Sequence, residues 1–243
     1  PVLSDVLTKE GRKSAWRLFS SVANAAFIVT GVLAVIVGLF AGPLVRGQLG
    51  IAPGFSSEQQ VLAAQLLRLN LISTLIFSIS GLVMAGLQAN QHFLLPAVAP
   101  LLYDFGQIFG AIILAPSDGL WIGPVQLPAF GMGIHGLVYG VIIGAVLHLI
   151  IQIPGLIKFK FRWVPAIGLK DPGFQRVLRL MGPRLVSMVF IQLIFLARDN
   201  LASRLGTGSV TALSFGWWIQ QVPETLIGTA IATALLPSLS EHI

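Results

Sequence analysis

The sequence predicts an all-α fold, a polytopic bundle of transmembrane helices. Its 243 residues are 55% hydrophobic and only 10% charged, with a mean hydropathy of +0.87, whereas soluble domains carry about 25% charged residues. The hydrophobic residues also lie in long stretches, each exceeding the roughly 20 residues that a membrane-spanning helix needs. We therefore expect six complete spans, preceded by the end of another helix.

The first two spans are expected at 18–45 and 60–88. Residues 1–17 are polar and basic, which indicates the end of a helix followed by a surface loop. Between the spans, the stretch APGF at 52–55 predicts a turn, and the Ser-Ser-Glu sequence at 56–58 is typical of a helix cap.

The third and fourth spans are expected at 94–115 and 131–154, joined by a loop rich in Gly and Pro at 116–130. Pro100 lies inside the third span, where a proline removes a backbone donor and bends the helix. Trp121 lies in the loop, and its ring is suited to a membrane interface.

The last two spans, at 182–204 and 208–240, follow a basic loop at 157–179. The sixth span carries polar residues near its middle, where they are costly in hydrocarbon. The bend expected at Pro223 is tolerated where neighbours or water satisfy the freed carbonyl. We therefore expect this span to face a polar cavity. The expected wall residues are Trp217, Trp218, Gln220, Gln221 and Glu224.

The distribution of positive charge predicts the orientation of the spans. The stretches 1–17 and 157–179 contain ten of the 15 lysines and arginines, and four spans separate them, so they lie on one side of the membrane. The loops of the opposite side contain only Arg46. Because basic loops face the cytoplasm, we expect both basic stretches to be cytoplasmic.

Several functional classes are excluded or disfavoured. The chain has no cysteine, which excludes thiolate metal sites, thiol nucleophiles and disulfides. The net charge of +6 comes without the aromatic platform of a nucleic-acid binder, and no nucleotide-binding or hydrolase motif occurs. His135 and His148 lie more than three helical turns apart, too far to share a metal. We predict no catalytic residue, no metal site and no cofactor.

Ionisable residues within the spans each need a partner or water, because an unpaired charge is costly in hydrocarbon. Arg184 and Arg198 can extend to the interface, and Arg68 can either do the same or line a cavity. Asp104 can accept hydrogen bonds from donors freed by the preceding proline. Glu224 is the candidate for a substrate contact or a proton carrier.

Five stretches together resemble one transporter family. They are PVLSDVL at 1–7, APGF at 52–55, the segment from RLNL to FGQI at 68–108, the segment from MGPR to TGSV at 181–210, and IATALLPSLSE at 231–241. In order and spacing they resemble the MurJ/MviN family, the lipid II flippases of the multidrug/oligosaccharidyl-lipid/polysaccharide exporter superfamily.

The resemblance implies part of a fourteen-helix, two-lobe transporter. Residues 1–156 would belong to the N-terminal lobe, from the end of the second helix to the sixth, and 157–179 would be a cytoplasmic basic loop. Residues 180–243 would begin the C-terminal lobe with the seventh and eighth helices. The implied function is movement of lipid II from the cytoplasmic to the outer leaflet of the bacterial inner membrane by alternating access. We expect a fragment of a longer polypeptide that acts as a transporter, not an enzyme.

The chain departs from the family pattern in two helices. Trp218 occupies the eighth-helix position of a cavity arginine, five residues before the proline, and Trp217 replaces the acid that often precedes it. The charge would then come from Arg198 or Arg68, or the substrate would differ. In the seventh helix the acid follows the arginine instead of preceding it, and Asp199 is the candidate for a coupling cation, either Na⁺ or H⁺.

Three other functions stay open. An exporter of another polysaccharide lipid or of a cationic drug would use Glu224 and Asp199 as ligands. A membrane transferase acting on prenyl phosphates would need convergent acids or histidines with a metal, and substitution of Asp104 and His135 would distinguish it from a transporter. A non-transporting scaffold would tolerate changes in the cavity wall. The expected partners are a lipid-linked oligosaccharide, the bilayer and cell-wall synthesis proteins, with no nucleic acid.

Overall fold

The computed structural model describes residues 2–229 and residue 231. Within this part of the chain nearly all regular structure is helical, and five helices are long and apolar enough to cross a membrane. These five correspond to the first five predicted spans, which confirms an all-α polytopic bundle. The described α-helices are α1 (Val2–Glu10), α2 (Arg12–Leu39), α3 (Ala41–Arg46), α4 (Ser57–Ala89), α5 (Leu94–Phe109), α6 (Ile134–Ile150), α7 (Ile153–Lys158), α8 (Pro172–Ser203) and α9 (Ser209–Pro223).

The basic N-terminal stretch is helical, where a surface loop was expected. Within residues 2–17 the only break is at Gly11, which lies between α1 and α2 and has a φ of 83°. Lysine, arginine and alanine all favour helix, so α2 begins at Arg12 and extends beyond the apolar segment. The first span was predicted to end at residue 45, whereas α2 ends at Leu39 and the short helix α3 follows.

The predicted cap before the second span is confirmed in its geometry. The backbone N–H of Gln59 donates to Ser56 Oγ at 3.3 Å, and the backbone N–H of Ser56 donates to Gln59 Oε1 at 3.1 Å. This reciprocal pair is a capping box, which satisfies two donors at the start of a helix. It fixes the start of α4.

The loop at 116–130 contains a short hairpin that was not predicted. Strands β1 (Trp121–Ile122) and β2 (Val125–Gln126) pair antiparallel, with Trp121 opposite Gln126. Gly123 in the connecting turn has a φ of 60°, a value that glycine adopts without a steric penalty. Two-residue strands carry too little alternation to be recognised in a sequence.

Helix α8 begins at Pro172, ten residues before the predicted fifth span. Asp171 Oδ1 accepts hydrogen bonds from the backbone N–H groups of Gly173 at 2.7 Å and Phe174 at 3.2 Å. An aspartate cap followed by proline at the first helical position is a strong start signal. The last eight residues of the predicted basic loop, 172–179, are therefore helical.

The predicted sixth span is described only in part. Helix α9 runs to Pro223 and continues as a π-helical segment, Glu224–Thr229. Residues 230 and 232–243 lie outside the described residues, as do Pro1 and, except for Ile231, the resemblance stretch IATALLPSLSE. A similar π-helical turn, Gly110–Leu114, extends α5 and completes the third predicted span.

The described residues form two compact units, one from 2–42 with 61–189, and one from 43–60 with 190 onward. In the first unit, α5 and α6 meet along glycines. A Cβ atom added at Gly110 would lie 2.6 Å from Gly140 Cα, and one added at Gly140 would lie 2.6 Å from Gly110 Cα. This close approach is typical of helix packing in membranes, where small residues let backbones touch. The seam consists of Gly106, Gly110, Gly136, Gly140 and Gly144.

In the second unit, the loop after α3 is tied to the end of α8. Asn200 Nδ2 donates to the carbonyls of Gln48 at 3.0 Å and Gly50 at 2.6 Å, and Arg204 Nη2 donates to Gln48 at 2.6 Å. The backbone N–H of Gly54 donates to Ser203 Oγ. These bonds provide partners for backbone carbonyl and N–H groups of a loop that has little regular structure of its own.

Candidate functional site

An arginine is held between a carboxylate and an aromatic ring near the end of α8. Arg198 Nη2 lies 2.8 Å from Asp199 Oδ1, and its Nε donates to the same oxygen at 2.9 Å. The guanidinium carbon lies 4.9 Å from the centre of the Phe195 ring, and Trp217 of α9 meets that ring edge-on at 5.1 Å. We name these four residues the arginine–aromatic cluster.

The chemistry of the arginine–aromatic cluster suits an anion. Both charged side chains are about one-third exposed, 28% for Arg198 and 33% for Asp199, so they are only partly desolvated. The ion pair uses two of the five N–H donors of the guanidinium, and among the described residues the other donors have no protein acceptor. A planar guanidinium fixed in this way is pre-organised for a phosphate or carboxylate.

The predicted wall residues of α9 lie on a helix with no buried residue in its described length. Trp218 is 70% exposed and Trp217 is 39% exposed. Gln221 Nε2 donates to Glu224 Oε2 at 3.2 Å, and Gln220 is exposed. We name Gln220, Gln221 and Glu224 the polar face of α9. Gln220 and Glu224 are exposed and Gln221 is half-buried. Of the five predicted wall residues, Trp217 alone belongs to the arginine–aromatic cluster.

The two prolines predicted to bend helices have different surroundings. Pro223 is the last residue of α9, and the π-helical segment begins at the next residue. Its missing N–H frees a carbonyl one turn earlier, and the backbone N–H of Glu224 bonds to both Gln220 O and Gln221 O. Pro100 lies inside α5, which continues as an α-helix through it. Insertions of π-helix are frequent at functional sites.

Arg68 lies in the first compact unit, where it bonds to a helix end. Its Nε donates to the carbonyl of Gly38 at 2.8 Å, one of the last carbonyls of α2, which have no partner within the helix. The side chain is exposed. Arg68 thus joins α4 to α2, and its role as a cavity residue stays a prediction.

Comparison with known proteins identifies the family. A family model described as "Lipid II flippase MurJ" matches residues 1–243. The chain belongs to this family. It is 30% identical to a lipid II flippase MurJ of Burkholderia cenocepacia over 99% of the chain, and 25% and 27% identical to probable lipid II flippases of Buchnera aphidicola and Borreliella burgdorferi over 100% and 97% of the chain.

The chain spans less than half the length of these MurJ relatives, 44–45% in each case. The match of the family model to residues 1–243 confirms the resemblance over the whole chain. Membership of the MurJ family, together with five apolar helices, makes this a multi-pass bacterial membrane protein.

The chain also contains a buried polar cluster that was not predicted from the sequence. Ser80 of α4 lies 2.6 Å from His148 Nδ1 of α6, and Gln152 Nε2 donates to Ser80 Oγ at 2.9 Å and to His148 O at 2.7 Å. We name these residues the buried polar triad. Because the amide of Gln152 donates to Ser80, the serine hydroxyl is free to donate to the histidine. The only sequence signal is the i, i+4 spacing of His148 and Gln152.

Within residues 2–229 and 231, no three His, Cys, Asp or Glu side chains are grouped closely enough to hold a metal ion. The buried polar triad supplies a single imidazole, and Gln152 Oε1 has no hydrogen-bond partner among the described residues. The triad is fully buried, with Ser80 and Gln152 at 0% exposure. It acts as a polar connection between α4 and α6.

Proposed function

We propose that the chain is part of a flippase that moves lipid II, the lipid-linked peptidoglycan precursor, from the cytoplasmic to the outer leaflet. The observation that carries the proposal is the match of the MurJ family model to residues 1–243. The task is transport and needs no covalent chemistry.

The physical problem is to carry a charged headgroup past hydrocarbon. A diphosphate bearing sugars is strongly hydrated, and moving it into a medium that cannot form hydrogen bonds is prohibitively costly. A polar cavity that is open sideways to lipid removes this cost, because the headgroup stays solvated while the prenyl tail remains in the bilayer. Arg198 and the polar face of α9 supply donors for such a cavity.

Alternating access would follow from movement of two lobes. In this proposal residues 1–156 belong to the N-terminal lobe and 180–243 begin the C-terminal lobe, with the basic stretch 157–179 between them. Rocking of one lobe against the other exposes a central site to each side in turn. The concentration of positive charge in 1–17 and 157–179 supports an orientation with these stretches on the cytoplasmic face of the inner membrane.

A second cargo class is favoured by one observation. Trp218 stands five residues before Pro223 and is 70% exposed, at the position where the family pattern has a cavity arginine. An exposed indole stacks on sugar rings better than it binds a diphosphate. The alternative cargo is therefore another lipid-linked polysaccharide, with the sugars recognised by Trp218 and the phosphate by Arg198.

A coupling cation would act through Asp199. Its Oδ1 is bound by Arg198 at 2.8 Å, so a sodium ion or proton taken up by this carboxylate would weaken the ion pair. The guanidinium released in this way would be free to bind an anionic headgroup. We propose that cation uptake at Asp199 and headgroup binding at Arg198 favour each other.

The test is complementation of a flippase-depleted bacterium with the full-length parent. The wild type is compared with Trp218→Arg and Glu224→Gln, at matched membrane expression. The readouts are growth and the amount of lipid II accessible on the outer leaflet. The proposal predicts that the wild type restores both.

The variants separate the cargoes. If only Trp218→Arg restores growth, the natural cargo is a different lipid-linked polysaccharide. If neither the wild type nor Trp218→Arg restores growth or outer-leaflet lipid II despite normal expression, lipid II transport is contradicted. A wild-type level of rescue by Glu224→Gln would show that its charge is dispensable.

A further inference from the structure

A cavity lies where the basic segment after α7 folds back against α2, within the first compact unit. Its volume is about 490 Å³, in the usual range for small-ligand sites. Residues 166–169 form one wall, and side chains of α2 form the other. The polar and charged side chains that line it are Arg17, Ser21, Lys170 and Asp171.

The cavity is held open by hydrogen bonds between this segment and α2. Asn24 Nδ2 donates to the carbonyls of Val164 at 2.8 Å and Ala166 at 3.0 Å, and Trp163 Nε1 donates to Asn24 Oδ1 at 2.8 Å. About two turns earlier in α2, Trp16 Nε1 donates to Phe159 O at 3.1 Å. The segment therefore has a fixed path, and a ligand would meet a preformed site.

The charge in the cavity is positive. Arg17 and Lys170 are exposed cations, and neither forms an ion pair within residues 2–229. The lining contains one carboxylate, Asp171, against these two cations, and its Oδ1 accepts from the N–H groups of Gly173 and Phe174 at the start of α8. That capping also consumes these donors, so side chains, not the helix end, would hold an anion.

Ser21 supplies the observation that points to a ligand. The residue is 3% exposed, yet its hydroxyl lines the cavity and has no hydrogen-bond partner among the described residues. Its neighbour Ser20 behaves as a helical serine normally does and donates to Trp16 O at 2.8 Å. The Ser21 hydroxyl therefore faces the cavity with its proton uncommitted, and a ligand oxygen there can accept a hydrogen bond from it.

We propose that Arg17, Lys170 and Ser21 bind a phosphate group in this cavity. Two cations and a hydroxyl donor suit a tetrahedral oxyanion, and basic pockets beside transmembrane helices bind lipid headgroups. Trp163 is 61% exposed at the rim of the same segment, as expected for a residue at headgroup level. The phosphate comes from a phospholipid or from solution. The proposal does not depend on lipid II transport.

The experiment measures thermal unfolding of the purified full-length parent in a neutral detergent at constant ionic strength. One arm adds dioctanoyl phosphatidylglycerol below its micelle concentration, and the other adds inorganic phosphate. The variant is Arg17→Gln with Lys170→Gln. The matched control is Lys13→Gln with Arg162→Gln, which removes two exposed cations from the same helix and segment but outside the cavity lining. Ser21→Ala is measured in parallel.

We expect a saturable rise in the unfolding midpoint with at least one probe, in the wild type and the control. The apparent Kd should rise at least tenfold in Arg17→Gln/Lys170→Gln, and by a smaller factor in Ser21→Ala. A response to phosphatidylglycerol alone identifies a headgroup, and a response to both identifies free phosphate as sufficient. Equal responses of variant and control, or no saturable shift with either probe, overturn the proposal.

Discussion

The buried polar triad and the polar face of α9 place similar residue types in apolar helices, with opposite results. In the triad, Ser80, His148 and Gln152 bond to one another and are nearly inaccessible. At the end of α9, Gln221 and Glu224 bond only to each other among the described residues, and Glu224 is exposed. Polar residues in these helices are therefore either hydrogen-bonded inside the helix packing or available to a ligand.

The surroundings of the glycines show the same difference between the two regions. Glycine in α5 and α6 lets two backbones touch, whereas among the described residues nothing lies within 4 Å of a Cβ added at Gly216 of α9. The helices of the first region therefore pack closely at their glycines, whereas α9 has open space at Gly216 among the described residues. This difference separates residues that build the scaffold from residues that can meet a cargo.

The largest expected effect is at the glycine seam. Gly140→Ala places a methyl group 2.6 Å from Gly110 Cα, a backbone clash that only movement of α5 or α6 can relieve. We expect destabilisation at or above ~3 kcal/mol, the upper end for overpacked cores. The yield of monodisperse full-length protein after size-exclusion chromatography should fall sharply. Gly216→Ala is the control, and a similar loss there would remove the contrast between the regions.

The next effect is on transport. Arg198→Ala removes a charge-assisted donor from the arginine–aromatic cluster, and such bonds contribute about 1.5–3 kcal/mol. Outer-leaflet lipid II in depleted cells should therefore appear at least about tenfold more slowly, at unchanged protein level. Arg184→Ala, which removes an exposed arginine of the same helix, should have little effect. Equal losses for both variants would contradict a specific role for Arg198.

The smallest effect is in the buried polar triad. Ser80→Ala leaves His148 Nδ1 with only the longer contact to Gln152 Nε2 at 3.3 Å and removes one of the acceptors of that amide, for a cost of about 1–3 kcal/mol. The thermal midpoint of the full-length protein should fall, and transport per folded molecule should not change. Ser78→Ala is the control, because Ser78 Oγ bonds only within its own helix, to Leu75 O at 2.7 Å. Loss of transport at an unchanged midpoint would give the triad a functional role.

Hydropathy was sufficient for most of the fold. The third span was expected at 94–115 and is observed at Leu94–Leu114, because apolar length alone defines a membrane helix. The start of α8 was missed, since the capping signal of Asp171 and Pro172 lies in a basic stretch that was interpreted as a loop.

The candidate site was harder to predict because it depends on packing between distant residues. Ser80 and His148 are 68 residues apart, and no pattern within one helix indicates that they meet. The polar face of α9 was expected from residue type alone. By contrast, the contacts of Arg198 with Asp199 and Phe195 are established only by the structure, because adjacent helical residues normally point apart.

The most direct measurement is labelling of introduced cysteines by a water-soluble maleimide in cells. The chain has no cysteine of its own, so single substitutions in a parent freed of any others give an unambiguous signal. The account predicts that Gln221→Cys and Glu224→Cys are labelled, and that Ser80→Cys in the buried polar triad is not. If neither α9 position reacts while the protein is folded and active, the polar face of α9 does not line a water-filled cavity, and the account is contradicted.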